Sequence, residues 1–272
     1  MSVFQISAGK PRAFLLLALP IVALAATGCK TTGSSPGSLL GNSANVGPTS
    51  TIQNPSTADT TQWAKRWKAR PGDVDTTMNY VSRLRGLGSH PKALSVLRDA
   101  IKANPGSTVL RGEYGKQLAS MGQFQQASVV LQQAAAQPDA TWQVHSAKGV
   151  VLDQLGRHAD AQSAYQMALK KSPGQVTTLN NLGLSQAQAG DLKTAEKTLR
   201  AAYVTPAGKS HSRLRQNLAL VVGLQGRFDE AKTIVAADLP PQQVEANMAY
   251  LRKMLSHPDP WKKLKQIDKK KA

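Results

Sequence analysis

Small residues recur along this chain at one fixed step. Gly88, Gly122, Gly156 and Gly190 fall 34 residues apart, as do Ala93, Ala127, Ala161 and Ala195, and again Ala100, Ala134, Ala168 and Ala202. Gly115, Gly149 and Gly183 keep the same step. Coincident ladders restrict the fold more than any single motif, because such a chain builds one structural unit several times and stacks the copies. Composition indicates what the unit is made of. Only 5% of the 272 residues are aromatic, while Ala, Leu, Gln and Lys are abundant. That mixture suits helices packed through small side chains and not a β-sandwich.

Within each unit the residue types read as two helices. Gly115, Gly149 and Gly183 fall in mid-helix, where a glycine costs about 1 kcal/mol relative to alanine. The cost makes sense where a neighbouring helix comes too close to admit a side chain. Gly122, Gly156 and Gly190 fall where the first helix ends, in a left-handed turn that glycine tolerates best. Amphipathic second helices then open at Gln123-Phe124-Gln125-Gln126-Ala127, Arg157-His158-Ala159-Asp160-Ala161 and Asp191-Leu192-Lys193-Thr194-Ala195. The Ala four residues before Leu97, Leu131, Tyr165 or Leu199 forms the other half of the interlock. Pro105, Pro138, Pro173 and Pro206 stop the second helix.

This pattern and its period resemble the tetratricopeptide repeat. The resemblance implies an all-α, right-handed superhelical solenoid of antiparallel helix pairs over residues 61–256, with units at about 74–105, 108–139, 142–173 and 176–207. A fifth unit, about 212–238, follows a 36-residue step, so two extra residues are expected in the preceding loop. Arg215-Gln216-Asn217-Leu218-Ala219-Leu220 supplies its first helix and Gly226-Arg227-Phe228-Asp229-Glu230-Ala231 opens its second. Pro240-Pro241 ends it. Residues 242–256 read as a C-terminal capping helix, with Val244, Met248, Leu251 and Leu255 on one side to cover the last apolar face.

The N-terminus speaks of export. Lys10 and Arg12 precede an uncharged, largely apolar stretch over residues 13–28, the pattern of a secretory signal peptide. At about 16 residues it is short for a membrane span, which needs about 20; the competing reading is an uncleaved anchor helix. Ala26-Thr27-Gly28-Cys29 resembles a bacterial lipobox, with Ala26 where Leu is commonest, and Cys29 is the lone cysteine. The resemblance implies lipidation of Cys29 after removal of residues 1–28; the alternative is a free thiol beside an ordinary cleavage site. Lys30 stands where an inner-membrane retention signal carries Asp, so the expected destination is the outer membrane, facing the periplasm. Residues 29–60, rich in Ser, Thr, Gly and Pro, are expected to form a flexible tether, with only Lys30 and Asp59 charged.

The formal net charge is +18; without Lys10 and Arg12 it is +16. An exported protein does not meet the chromosome, so this balance points to anionic envelope surfaces or acidic partners and not to nucleic acid. The tail, residues 257–272, carries Lys262, Lys263, Lys265, Lys269, Lys270 and Lys271 against Asp259 and Asp268, and reads as solvated and disordered.

No constellation for chemistry emerges. The histidines at 90, 145, 158, 211 and 257 lack metal-ligand spacing, and most are expected near helix ends in solvent. There is no Gly-x-Ser-x-Gly and no phosphate-binding glycine loop. Asp229-Glu230 suits the first turn of a helix, where the dipole favours acids. Neither an enzyme, a metal site nor a cofactor is expected. In tetratricopeptide arrays the first helices line a concave groove for a peptide or helix. Carried over, that geometry puts Lys116, Gln143, Asp153, Gln154, Asn180 and Gln216 on the inward side, their amides available to a peptide backbone and Lys116 to a carboxylate.

Residues 213–220 (Arg-Leu-Arg-Gln-Asn-Leu-Ala-Leu), residues 223–231 (Gly-Leu-Gln-Gly-Arg-Phe-Asp-Glu-Ala), Ala237-Asp238-Leu239-Pro240-Pro241 and Asn247-Met248-Ala249-Tyr250-Leu251-Arg252 resemble the last repeat of the TadD-type lipoproteins of Tad (Flp) pilus systems. The likeness is specific only over residues 210–256. It implies a membrane-anchored scaffold that helps the pilus secretin localise or assemble, with the secretin or other Tad machinery as partner. No binding residue can be carried over. A general periplasmic adaptor, similar to those that dock peptidoglycan hydrolases or type IV pilus secretins, is the alternative.

Overall fold

The computed structural model describes residues 57–256. The leader, Cys29 and the basic tail lie outside them. A lone helix, α1 (Thr57–Ala69), precedes four helix pairs: α2 (Val74–Gly86) with α3 (His90–Ala103), α4 (Thr108–Ser120) with α5 (Phe124–Ala135), α6 (Trp142–Gln154) with α7 (His158–Lys171), and α8 (Val176–Gln188) with α9 (Leu192–Tyr203). A single turn, α10 (Pro206–Lys209), leads to the fifth pair, α11 (Ser212–Leu224) with α12 (Phe228–Val235), and α13 (Pro241–Leu255) closes the array. There is no strand among the described residues.

The ladders explain why these segments pair. Ala93, Ala127, Ala161, Ala195, Ala100, Ala134, Ala168 and Ala202 are all 0% exposed, so each second helix lies flush on its neighbours. The mid-helix glycines are notches for the large residue of the same unit. A Cβ on Gly115 would stand 2.5 Å from Cγ of Leu131, and one on Gly149 2.5 Å from Cε1 of Tyr165. At the turn, Gly122 has φ +75 with open space around it, so glycine is required there by backbone conformation and not by crowding. Helix starts are fixed locally: the Asp73 carboxylate accepts from the Thr76 amide at 2.8 Å, and Ser107 Oγ from the Leu110 amide at 3.2 Å.

Two features depart from the sequence reading. The extra residues before the fifth unit form α10, with Pro206 as its first residue; α9 has already ended at Tyr203. Residues 57–60, expected as the end of a tether, are instead the start of a helix. The helix α1 is in register as the second helix of a unit that lacks its first: Trp63 stands 34 residues before Leu97, Pro71 before Pro105 and Gly72 before Gly106. At the two buried-alanine positions, however, it carries Asp59 and Arg66. Its inner side, Thr60, Trp63, Ala64 and Trp67, packs on α2, where the Trp67 and Tyr80 rings lie 5.8 Å apart. Polar residues in place of alanine make it an end cap.

Curvature follows from which helices meet. Successive first helices pack on each other (α4 on α6, α6 on α8, α8 on α11), whereas α5, α7 and α9 pack chiefly on the first helices before and after them. The first helices therefore line the inner side.

Candidate protein-interaction groove

Each first helix presents one accessible strip to this inner side. In α6, residues 144, 145, 146, 149, 151, 152 and 153 are buried; of the other six, Trp142 and Lys148 lie to the side, while Gln143, Ala147, Val150 and Gln154 share one face. Those are the second, sixth, ninth and thirteenth residues of the helix, a spacing that keeps one face. The same positions give Thr177, Asn181, Leu184 and Gln188 on α8, all half-buried. On α11 they give exposed Arg213, half-buried Asn217 and Leu220, and buried Leu224. The ninth residues form a row across the array: Lys116, Val150, Leu184 and Leu220, each half-buried. An apolar row thus runs over three helices between amide side chains, with Lys116 at one end and Arg213 at the far rim. The strips of α6, α8 and α11 hold no carboxylate.

Of the residues expected here, Lys116, Gln143 and Gln154 lie on the strips, and Gln216 is half-buried beside one. Lys116 pairs with Glu113, whose other oxygen accepts from Arg85 Nη1 at 3.1 Å. Asp153 and Asn180 correct the expectation. Each sits one residue from its strip, which turns the side chain about 100° round the helix into the joint with the next unit. Asn180 is 2% exposed and accepts from Asn217 Nδ2 at 2.8 Å. Its amide is engaged between units and is not free for a ligand backbone.

Asp153 is the centre of a buried network. Its Oδ2 accepts from the Tyr165 hydroxyl at 2.9 Å, and its Oδ1 accepts from Ser185 Oγ at 2.6 Å and lies 2.9 Å from His158 Nδ1. A carboxylate only accepts, so Nδ1 carries the hydrogen. Three helices, α6, α7 and α8, are joined at one side chain. Burial, then the neighbouring Asp153 charge, pushes the Tyr165 phenol well above its ordinary range. His158 therefore is not a solvated turn histidine. Neither is His145, 7% exposed within α6, which burial, followed by the Lys171 and Lys148 charges, holds below the usual imidazole range. A second junction gathers Arg200, Gln225 and Arg227 round the carboxylate of Glu196.

The sequence reading missed Val150, Leu184 and Leu220. Stepping from Lys116 by 34 residues reaches Val150 and Leu184, so the same ladder that located the helices also located the row. Among the described residues no cluster of His, Cys, Asp and Glu could hold a metal ion, and no helix is long and apolar enough to cross a membrane.

A family model described as tetratricopeptide repeat matches residues 115–176 and again residues 147–212. Among solved structures, the type IV pilus biogenesis factor PilW is similar over 73% of this chain and 92% of its own, at 18% identity and a TM-score of 0.59. Pseudomonas aeruginosa pilF is similar over 71% and 90%, at 14% identity and a TM-score of 0.57. YrrB, described as a tetratricopeptide-repeat protein with an unusual peptide-binding site, covers 69% of this chain and 98% of its own at 15% identity and a TM-score of 0.53. No curated protein sequence matches. The described residues form an all-helical tetratricopeptide-repeat solenoid. The inner strips are the accessible concave surface of that solenoid.

Proposed function

We propose that the chain is a lipid-anchored scaffold of the outer membrane that holds a segment of a pilus secretin, or of other Tad (Flp) machinery, in its inner groove and so assists secretin localisation or assembly. The observation that carries the binding half is the row Val150–Leu184–Leu220 flanked by Gln143, Gln154, Asn181, Gln188 and Asn217. Apolar side chains take up alternate residues or one face of a bound peptide, while the amides both donate to and accept from its backbone. A strip without carboxylates, in a chain of net charge +18, favours a segment carrying acids.

The pilus half rests on the sequence likeness over residues 210–256, with the fold-level similarity to PilW and pilF in support. Lipidation at Cys29 would supply the address. Two variants separate the elements in pull-downs from detergent-solubilised envelope. Wild type is expected to recover a secretin, Cys29→Ser to leave it mislocalised, and Leu184→Asp to stay membrane-bound but lose it. Recovery of peptidoglycan hydrolases, with no pilus component, would replace this reading by that of a general periplasmic adaptor.

A further inference from the structure

The capping helix α1 is more than a plug on the first unit. Its outward side carries Lys65, Arg66 and Lys68, and Arg70 follows at its C-terminal end; all four are exposed. Its single acid, Asp59, pairs with Arg83 of α2 at 2.5 Å. None of the four forms an ion pair with a described residue; other described cations, such as Lys92, Arg111, Lys170, Lys171 and Lys209, are also unpaired, but α1 gathers its four at one end of the array. The Arg66 guanidinium lies 4.8 Å from the centre of the Trp63 ring, which presents a half-buried aromatic edge beside the basic side. Lys65 falls on the side opposite Trp67, with Arg66 and Lys68 on the two flanks of the packing face.

Position gives this side its partner. Among the described residues α1 is the first helix of the array and packs chiefly on α2, so its basic side meets no other described repeat. It is also the first described element after the stretch that holds Cys29, 28 residues before Thr57. We propose that α1 docks on the anionic phospholipid headgroups of the membrane to which the chain is tethered, setting the solenoid end-on with its groove directed away. This rests on the lipid-anchor reading for its location, not for its chemistry. Each cation near an anionic surface adds about fivefold in affinity, and an interfacial Trp suits the headgroup layer. Lys193 and Lys197 on α9 are likewise without ion pairs but lie far along the array from the end that follows Cys29 in sequence.

The test uses the chain matured in a host envelope and reconstituted into vesicles of phosphatidylcholine with or without phosphatidylglycerol. A fluorophore on Gln62→Cys reports α1, and one on Gln133→Cys reports α5. With phosphatidylglycerol, headgroup-level quenchers are expected to quench the first label and not the second. Salt at 0.5 M, where the screening length is about 4 Å, should release it. Combined Lys65→Glu, Arg66→Glu and Lys68→Glu should weaken this docking by at least about tenfold, while Lys193→Glu with Lys197→Glu leaves it unchanged. Equal quenching of both labels, no dependence on phosphatidylglycerol, or docking that survives the α1 reversal because the tail lysines hold the body would overturn the proposal. Failure of the anchor reading looks different: the chain would wash off pure phosphatidylcholine vesicles, while phosphatidylglycerol-dependent, salt-sensitive binding through α1 would persist.

Discussion

The hydroxyl of Tyr165 donates to the carboxylate of Asp153 at 2.9 Å, and its ring lies in the notch left by Gly149. One aromatic side chain thereby reads both a missing Cβ and a buried charge on the helix it faces. Removing the carboxylate leaves the phenol, Ser185 and His158 without their shared acceptor. Asp153→Ala is expected to destabilise the solenoid by about 3 kcal/mol, in the range for breaking a buried charged network, and Tyr165→Phe by about 1–2 kcal/mol. Urea unfolding followed by circular dichroism measures both. A cost below about 0.5 kcal/mol for Asp153→Ala, the level of an ordinary surface change, would show that the network contributes nothing.

The two kinds of glycine should respond oppositely to what surrounds them. Gly149→Ala forces a methyl to within 2.5–2.7 Å of the Tyr165 ring, and overpacking of this kind costs about 1–3 kcal/mol despite alanine's better helix propensity. Gly122→Ala meets no atom within 4 Å, so its cost is only the left-handed backbone, about 1–2 kcal/mol. A second change should separate them. Trimming Tyr165 to Ala ought to relieve Gly149→Ala and leave Gly122→Ala as it was; additive effects at the 149–165 pair would contradict the notch.

Acid should unfold the C-terminal part through Glu196. Burial raises its carboxyl, but hydrogen bonds from Arg227, Arg200 and Gln225 prevail and bring it from 4.5 down to about 2. A carboxyl depressed by folding stabilises fully above its unfolded value and loses that contribution as pH falls towards the folded one. The window is therefore about pH 4.5 to 2, with up to about 3 kcal/mol at stake. His145, also depressed, works on the same side but earlier, with stability declining as pH drops below about 6.5. Melting curves from pH 7 to pH 2 should show both limbs. Glu196→Gln should flatten the lower limb alone; an unchanged acid limb would mean that the carboxylate junction is not what acid breaks.

Most of the fold was legible because packing imposed periodicity on small residues. A close helix approach needs Gly or Ala at the same place in each unit, and the ladder from Gly115 to Gly183 records it. Where a position is filled differently in each unit, the ladder goes silent. Arg85, Ala119, Asp153 and Ala187 share one helical position, the twelfth of their helices. Only the assembled array shows that Arg85 reaches Gln117 at 2.7 Å while Asp153 takes Ser185 at 2.6 Å, both 32 residues onward. The helix α1 escaped for the same reason: Asp59 and Arg66 stand where internal units bury alanine. The groove was less legible, since a strip one residue wide is lost by a one-residue error, as Asn180 in place of Asn181 shows.

That one-residue difference supplies the sharpest test of the groove. Leu184 and Ser185 are neighbours in α8, yet Leu184 opens on the inner strip and Ser185 is 0% exposed against Asp153. Leu184→Asp puts a charge at a half-exposed site with solvent available, so the melting temperature should move little, by no more than about 1 kcal/mol in stability. Partner binding should suffer far more. The apolar row is interrupted at its middle, and an acid-bearing segment meets a like charge, so a loss of about 2 kcal/mol or more, some thirtyfold in Kd, is expected. Ser185→Ala should do the reverse, lowering stability by about 1–2 kcal/mol while leaving the strip and its affinity intact. Calorimetry of each variant with the recovered partner decides the matter. If Leu184→Asp binds like wild type while Ser185→Ala does not, the partner reads the joints between units and not the inner strip.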